Sequence, residues 1–321
     1  MGKVVVVGSF NIDHVWTVPA LPRPGETLSG RYHTGPGGKG FNQAIAAARA
    51  GAGTGFVCAL GDDPGGDLAR SLASVDGIDL RAWASAEPTG TAGIYVDTDG
   101  RNCIVIGAGA NAALTPDFVE RQAMLITVAG VVLCQLESPL DAVRAAFLKA
   151  RQAGVTTLLN PAPADAIAPE ELLALADLIT PNETEFCSQL AAHQHERLDA
   201  AALATLDDAQ LHAGCRRLLP HGTVVITLGA AGCFVSHAHR ELRGDTRSFY
   251  RLEAEPVHAV DTTGAGDAFN GALAASLAQA PGLSFGDHAR FANRYAALST
   301  ERVGAGVAMP LRDEVLERFG G

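Results

Sequence analysis

The stretch that most constrains this chain runs from Asp261 to Ala272 and reads Asp-Thr-Thr-Gly-Ala-Gly-Asp-Ala-Phe-Asn-Gly-Ala. A short β-prone run, Val257-His258-Ala259-Val260, precedes it. Apolar residues then fall at Ala265, Phe269, Ala272, Leu273 and Leu277, which is helical spacing. The pattern predicts a strand that hands over to a helix through glycines. The first turn of a helix has unpaired N–H groups and a positive dipole end. Gly264 and Gly266 allow a tight turn and let an anion approach with no Cβ in the way. The N–H groups of Gly264, Ala265 and Gly266 could therefore cradle a phosphoryl group. Asp267 beside them would repel a bound phosphate unless it takes a proton from whatever attacks that phosphate, as phosphoryl transfer requires. The plainer alternative is a helix start capped by Thr262 or Thr263, with Asp267 favoured by the dipole.

Elsewhere strands and helices alternate, which predicts a mostly parallel sheet with helices on both faces. Val4-Val5-Val6-Val7 reads as a strand buried on both sides. Asn11 and Asp13 follow it, at the end of the sheet where open α/β folds bind ligands. Their alternation would let both bond vicinal hydroxyls; an Asx-type turn is the other reading. Residues 14–34 and 89–106 break the pattern with short alternating strands, the second bearing a hairpin turn at Asp97-Thr98-Asp99-Gly100. Such a small sheet, with no helices of its own, must cover an active site, another subunit or both.

Gly35-Pro36-Gly37-Gly38-Lys39-Gly40-Phe41-Asn42 then leads into an Ala-rich helix from about Gln43 to Ala50. It is not a P-loop, because His33 stands where that pattern needs Gly, and Gly40 where it needs Ser or Thr. The remaining use is a Gly-Gly turn whose backbone touches a neutral polyol, with Asn42 bonding a hydroxyl. Further strands are predicted at 53–60, 131–134, 156–159, 178–180 and 224–228, with two edge strands between Cys233 and Tyr250. Helices are predicted at about 66–74, 140–152 and 287–300.

The formal net charge is −11 and no basic run occurs, which argues against nucleic acid as the main partner. Six scattered cysteines form no CxxC pair and read as buried thiols of a reducing compartment. The start of the chain lacks a signal-peptide layout, and no apolar run reaches membrane-spanning length. A cytoplasmic protein is expected. The pairs His193/His195 and His237/His239 lack a third ligand for a metal and read as surface residues.

Taken together, the strand-end motifs resemble the ribokinase-like sugar kinases of the phosphofructokinase-B superfamily, over nearly the whole chain. The resemblance is carried by Gly37–Ala44, by Asp261–Gly271, and by the order of Gln135–Pro139, Asn160–Pro163, Thr180–Glu185 and Thr227–Gly232 between them. It implies one α/β kinase domain over residues 1–321, with lid strands from about 14–36 and 89–109. Asp267 would be the general base, and the amides of Gly264, Ala265 and Gly266 the anion hole. Asn11, Asp13, Gly38, Lys39, Asn42 and Glu137 would line the sugar pocket. Asn182 and Glu185 would help to place magnesium and the nucleotide phosphates. Thr227, Gly229 and Gly232 would hold ATP, with Asn293 beside the adenine. A potassium ion would sit near Asp261, Thr263, Ser299, Arg302, Gly304 and position 308, where the family's serine is Ala308. Phe41 also replaces a usual small residue. The resemblance further implies a homodimer through the lid, and ATP-dependent phosphorylation of D-ribose at its 5-hydroxyl. Deoxyribose, another small sugar or a nucleoside is the rival acceptor. A Rossmann-type oxidoreductase does not suit the sequence, since no G-x-G-x-x-G follows the first strand. A catalytically dead sugar-binding regulator does not suit it either, since Asp267 and the full glycine set are present.

Overall fold

The computed structural model describes residues 2–238 and 242–320, so His239 lies outside the described residues. Thirteen strands form two sheets among these residues. In chain order they are β1 (Lys3–Val7), β2 (Asn11–Val18), β3 (Arg31–Gly37), β4 (Gly53–Gly61), β5 (Asp79–Ser85), β6 (Gly90–Asp97) and β7 (Asn102–Gly107). They continue with β8 (Val131–Cys134), β9 (Thr156–Leu159), β10 (Leu178–Ile179), β11 (Thr223–Thr227), β12 (Cys233–Ser236) and β13 (Phe249–Leu252).

The larger sheet has nine strands in the order β13-β12-β11-β10-β9-β8-β1-β4-β5. It is parallel from β11 to β5, and β12 and β13 add antiparallel at one edge. Val4 and Val6 face one helical layer, with Phe41, Ala272 and Phe285. Val5 and Val7 face the other, with Val143, Phe147 and Phe186. This two-sided burial is why the strand reads as unbroken valine.

The second sheet has the order β3-β2-β6-β7. Its outer pairs are antiparallel and its central pair, β2–β6, is parallel. The expected hairpin turn is present: Gly100 (φ 79°) lies within it, and its N–H donates to Asp97 O at 3.0 Å.

Several expectations change. His237, read as a surface residue, is fully buried with its Nε2 2.9 Å from Asp245, and Cys103, read as a buried thiol, is exposed. Residues 257–260 form no strand; the N–H groups of Val260 and Asp261 both donate to Thr300 O, so this segment is tied to a helix end rather than to a sheet. The glycines of 264–266 therefore follow a loop. The Ala-rich helix begins at Lys39, four residues before the predicted start, because Gly38 (φ 88°) makes the turn that the Gly-Gly pair allows. Finally, β5 and the helices Pro116–Arg121, Ala123–Thr127, Glu183–Gln194, Asp208–Leu218 and Arg312–Phe319 went unassigned in the sequence reading. Among the described residues, no helix is long and apolar enough to cross a membrane.

Candidate active site

The helix Ala265–Gln279 begins with Gly264 as its N-cap, in the left-handed region at φ 76°. Neither Thr262 nor Thr263 caps it. A Cβ at position 264 would stand 2.8 Å from the Ala305 Cβ, so the glycine is required both by conformation and by this close approach. The N–H groups of Ala265 and Gly266 occupy the first turn, where no helical acceptor exists. The Ala265 N–H reaches back to Thr262 O at 3.2 Å.

Asp267 is buried, and its side chain turns away from helix capping. Asn42 Nδ2 donates to Oδ2 at 3.0 Å, and Gln43 Nε2 donates to Oδ1 at 2.8 Å. Burial pushes the Asp267 carboxyl above its ordinary range. The nearby Lys39 ammonium and the two amide donors oppose that rise, and Glu137 adds to it. A carboxyl so raised is a stronger base than a solvated aspartate.

Around it lie Asp13, Lys39, Glu137 and Glu185, close enough to perturb one another. Burial, followed by the charges of Glu137 and Asp267, pushes Asp13 up to about 6. Burial also pushes Glu185 up to about 7, against the pull of the Asn182 N–H and Lys39. Burial would lower the Lys39 ammonium, but Asp267, Glu137 and Glu185 together hold it above its ordinary value. One cation thus sits among four acids.

Asn11 and Asp13 both lie on β2, opposite Gly37 and Gly35, so the alternating reading holds and the Asx turn does not. Gly37 rests against the Asp13 carboxylate: a Cβ there would meet its oxygens at 2.2 Å. Asn11 Oδ1 accepts from Asn111 Nδ2 at 2.8 Å. Glu137 Oε2 accepts from Ser9 Oγ at 2.6 Å and from the Lys39 N–H at 3.0 Å, which ties β1, β8 and the Lys39–Arg49 helix together. Asn11, Asn111 and Glu137 share a cavity of 260 Å³ with Ile106 from the small sheet. Gly38 packs against the backbone of Phe10 and Asn11, where a Cβ would stand 2.9 Å from the Asn11 nitrogen. Phe41 is fully buried and packs edge-on against Phe10, with ring centroids 5.0 Å apart, so its extra bulk fills the core.

At the next strand end, Asn182 and Glu185 form a reciprocal capping box on the helix Glu183–Gln194, with bonds of 2.8 and 2.9 Å. Asn182 also bridges to Thr227. Gly229 (φ 53°) and Gly232 (φ 86°) shape the turn between β11 and β12, and a Cβ at 232 would stand 2.0 Å from Leu252 O. Asn293 Nδ2 donates to Glu253 O at 2.7 Å, which places Asn293 beside that same turn.

Of the residues expected around a monovalent cation, Asp261, Thr263 and Gly304 come together. Asp261 accepts from the Thr263 N–H at 2.9 Å and the Gly304 N–H at 2.8 Å. Partial burial alone would raise Asp261; these donors outweigh it and hold the carboxyl below its ordinary range. Ser299 turns its hydroxyl back onto Ala296 O, and the Arg302 side chain pairs with Glu314. Ala308 is buried in the short turn Gly306–Ala308 and offers no side-chain oxygen.

Sequence reading missed Ser9, Gln43, Asn111, Gln135 and Asn160. Gln43, Gln135 and Asn160 stand inside the motifs that carry the resemblance, but nothing local to them shows which distant group each one bonds.

A family model described as pfkB family carbohydrate kinase matches residues 1–312. A ribokinase of Haemophilus influenzae is 39% identical over 317 residues, covering 98% of this chain and 97% of the relative. Among solved structures, a ribokinase from Thermotoga maritima matches with a TM-score of 0.86 at 30% identity, covering 100% of both chains. The ribokinase of Arabidopsis thaliana, complexed with ribose and ATP, matches with a TM-score of 0.81 at 32% identity and covers 98% of each chain.

Proposed function

The chain belongs to the pfkB family of carbohydrate kinases, and from that premise we propose that it transfers the terminal phosphoryl group of ATP to the 5-hydroxyl of D-ribose. The observation that carries this reading is the buried, raised Asp267 three residues from the Gly264 turn. It lies beside Asn42, Gln43 and Lys39 of one helix, with Asp13 of β2 and Glu137 near enough to act on its charge.

In this reading Asn11, Asp13 and Glu137 accept hydrogen bonds from ribose hydroxyls, and the Gly38 turn and Asn42 hold the sugar against the helix. Asp267 accepts the proton of the 5-hydroxyl as its oxygen bonds to the terminal phosphorus. The bond from that phosphorus to the bridging oxygen breaks, and ADP leaves. The Gly264, Ala265 and Gly266 amides and Lys39 stabilise the charge that spreads over the transferred group. Thr227, Gly229, Gly232 and Asn293 hold the nucleotide.

Four acids around one lysine would repel the phosphates of ATP, so the site's charge suits a nucleotide that brings magnesium. Magnesium neutralises phosphate charge and usually keeps several waters. Asn182 and Glu185 fit the role of steadying such waters, since their direct bonds go to each other. For potassium, the Asp261 carboxylate and loop carbonyls are hard oxygen donors of the right class. Asp261, Thr263, Ser299, Arg302 and Gly304 would supply them, and Ala308 a backbone carbonyl at most. We also propose a homodimer through the four-stranded sheet, on the strength of the exposed Tyr32, Ile104, Val105 and Ile106, and a cytoplasmic setting.

The test is Asp267→Asn. Turnover in a coupled ADP assay should fall by about 10²–10⁴-fold, the usual worth of a positioned base, while ribose binding by calorimetry stays near normal. Near-normal turnover would remove Asp267 from this role. A panel of ribose, deoxyribose, fructose and adenosine, with and without potassium, ranks the acceptors and reads the cation dependence.

A further inference from the structure

Behind Asp267 lies a run of buried polar side chains that no step above uses. Gln43 is fully buried, and its Nε2 donates to Asp267 Oδ1 at 2.8 Å and to Asn160 Oδ1 at 3.0 Å. Its Oε1 accepts from Gln135 Nε2. Asn160 Nδ2 donates to the backbone carbonyl of Thr180 at 3.0 Å. The Thr180 hydroxyl meets Asn270 Oδ1, and Asn270 Nδ2 donates to Gly266 O at 2.8 Å. These groups sit at the ends of β8, β9 and β10 and on two helices.

The direction of this chain is forced. A backbone carbonyl can only accept, so Thr180 O fixes the Asn160 amide with its Nδ2 outward and its Oδ1 toward Gln43. Asn160 Oδ1 then needs a donor, so Gln43 must present its NH₂ group on that side. The second N–H of that group points at Asp267. Gln135 supplies the donor that Gln43 Oε1 requires. Reversing any amide would set two acceptors or two donors face to face in a buried site, which costs the desolvation of both.

We propose that Gln43 is a positioning residue that presents a fixed hydrogen-bond donor to Asp267 Oδ1, leaving that carboxylate able only to accept a proton. This rests on the reading of Asp267 as the general base. A donor held against the ionised form favours it over the protonated form. The same donor stops the carboxyl from rotating, so the oxygen bonded by Asn42 faces the sugar side.

The test compares single-turnover phosphoryl transfer in the native chain, Gln43→Met, Gln43→Glu and Asn160→Leu, at saturating ribose and ATP across roughly pH 5 to 9. Saturation removes groups that titrate only in the free pocket. Gln43→Met removes the donor, so the acid limb should move up by about 1 pH unit, the size of a hydrogen bond to a charged group. Gln43→Glu sets a second carboxyl beside the first and should move it further. Asn160→Leu frees the Gln43 amide to turn and should move it the same way by less. Ribose binding should stay within about twofold in each, as expected where only the proton acceptor is altered.

A uniform loss of rate with the limb unmoved in Gln43→Met would mean a purely structural role and overturns the proposal. If Gln43→Met does not fold by circular dichroism, Gln43→Leu takes its place, since a carboxylate at position 43 would move the limb by its charge alone. An unmoved limb in Asn160→Leu, with Gln43→Met shifted, would overturn the fixed direction. Failure of the base assignment itself would show separately, as retained turnover in Asp267→Asn.

Discussion

The two sheets are built from similar β-rich stretches and differ in what covers them. In the nine-stranded sheet the central strands are closed on both faces: Val4 to Val7 are all fully buried, and alternate valines serve two different helical layers. In the four-stranded sheet all six residues of β7 are exposed, and β2 and β6 are mostly half-buried. Stability therefore resides in the large sheet, while the small one contributes Asn11 and Asp13 to the site and keeps an apolar face in reserve. The site lies where the two meet. Asp267 and the Gly264 turn, the proposed base and anion hole, belong to a helix packed on the large sheet, and the proposed sugar contacts Asn11 and Asp13 belong to β2 of the small one.

Substitutions should separate these roles. The largest effect is expected from Phe147→Ala, in the helical layer opposite the one that carries Asp267. It should cost about 3–5 kcal/mol in urea unfolding, as deletion of a buried aromatic does, while kcat of the folded protein stays unchanged. Loss of activity without loss of stability would break the comparison. Next comes Gly264→Ala, which places a methyl against Ala305 and disfavours φ 76°. Turnover should fall by about 10²-fold, as when one donor to a developing oxyanion is lost.

A smaller effect belongs to Asp13→Asn. Burial, with Glu137 and Asp267 nearby, pushes Asp13 up to about 6, and in the proposed role it accepts from the sugar as a carboxylate. The native kcat/KM for ribose should therefore fall as pH drops through about 6, and the variant should lose about tenfold at pH 8, the worth of one charged hydrogen bond. Steady-state kinetics against pH would show it; a native profile flat through this range would contradict the role. The smallest effect on folding is expected at Val105→Asp on β7. It should shift unfolding by no more than about 0.5 kcal/mol, yet convert a dimer to monomer in light scattering. A variant that remains dimeric would move the interface away from this face.

The sequence disclosed the layers where the chemistry of burial was simple. The helix Leu140–Gln152 and strands β8 and β9 match their predicted limits, because the first has apolar residues at helical spacing and the others are short runs bounded by turn residues. The edge strand β5 was missed because half its residues are exposed and charged or small. The helix Glu183–Gln194 was missed because it buries Glu185 and Gln189, which blurs its apolar face. Residues 257–260 looked like a strand, but the His258 N–H bonds Glu301 Oε1 and the Val260 N–H bonds Thr300 O, so the segment pairs with a helix end and not with a sheet.

At the site, glycines and acids carried their own signal. Gly264, Gly266 and Asp267 can be singled out because that spacing has a chemical use. The amides behind them could not be found in this way. Gln43 meets Asp267 across 224 positions and Asn160 across 117, and no local pattern marks a buried glutamine as a partner of a distant aspartate. The same holds for Asn111, which orients Asn11 from 100 positions away.

A crystal structure with ribose and a non-hydrolysable ATP analogue would show directly whether Asp267 meets the hydroxyl it is proposed to deprotonate. One Asp267 oxygen should lie within about 2.6–3.2 Å of the ribose 5-hydroxyl, with Gln43 still bonded to the other half of the carboxyl and the Gly264–Gly266 amides facing the terminal phosphate. A bound ribose whose 5-hydroxyl points away from Asp267, with the glycine turn empty of phosphate, would contradict it.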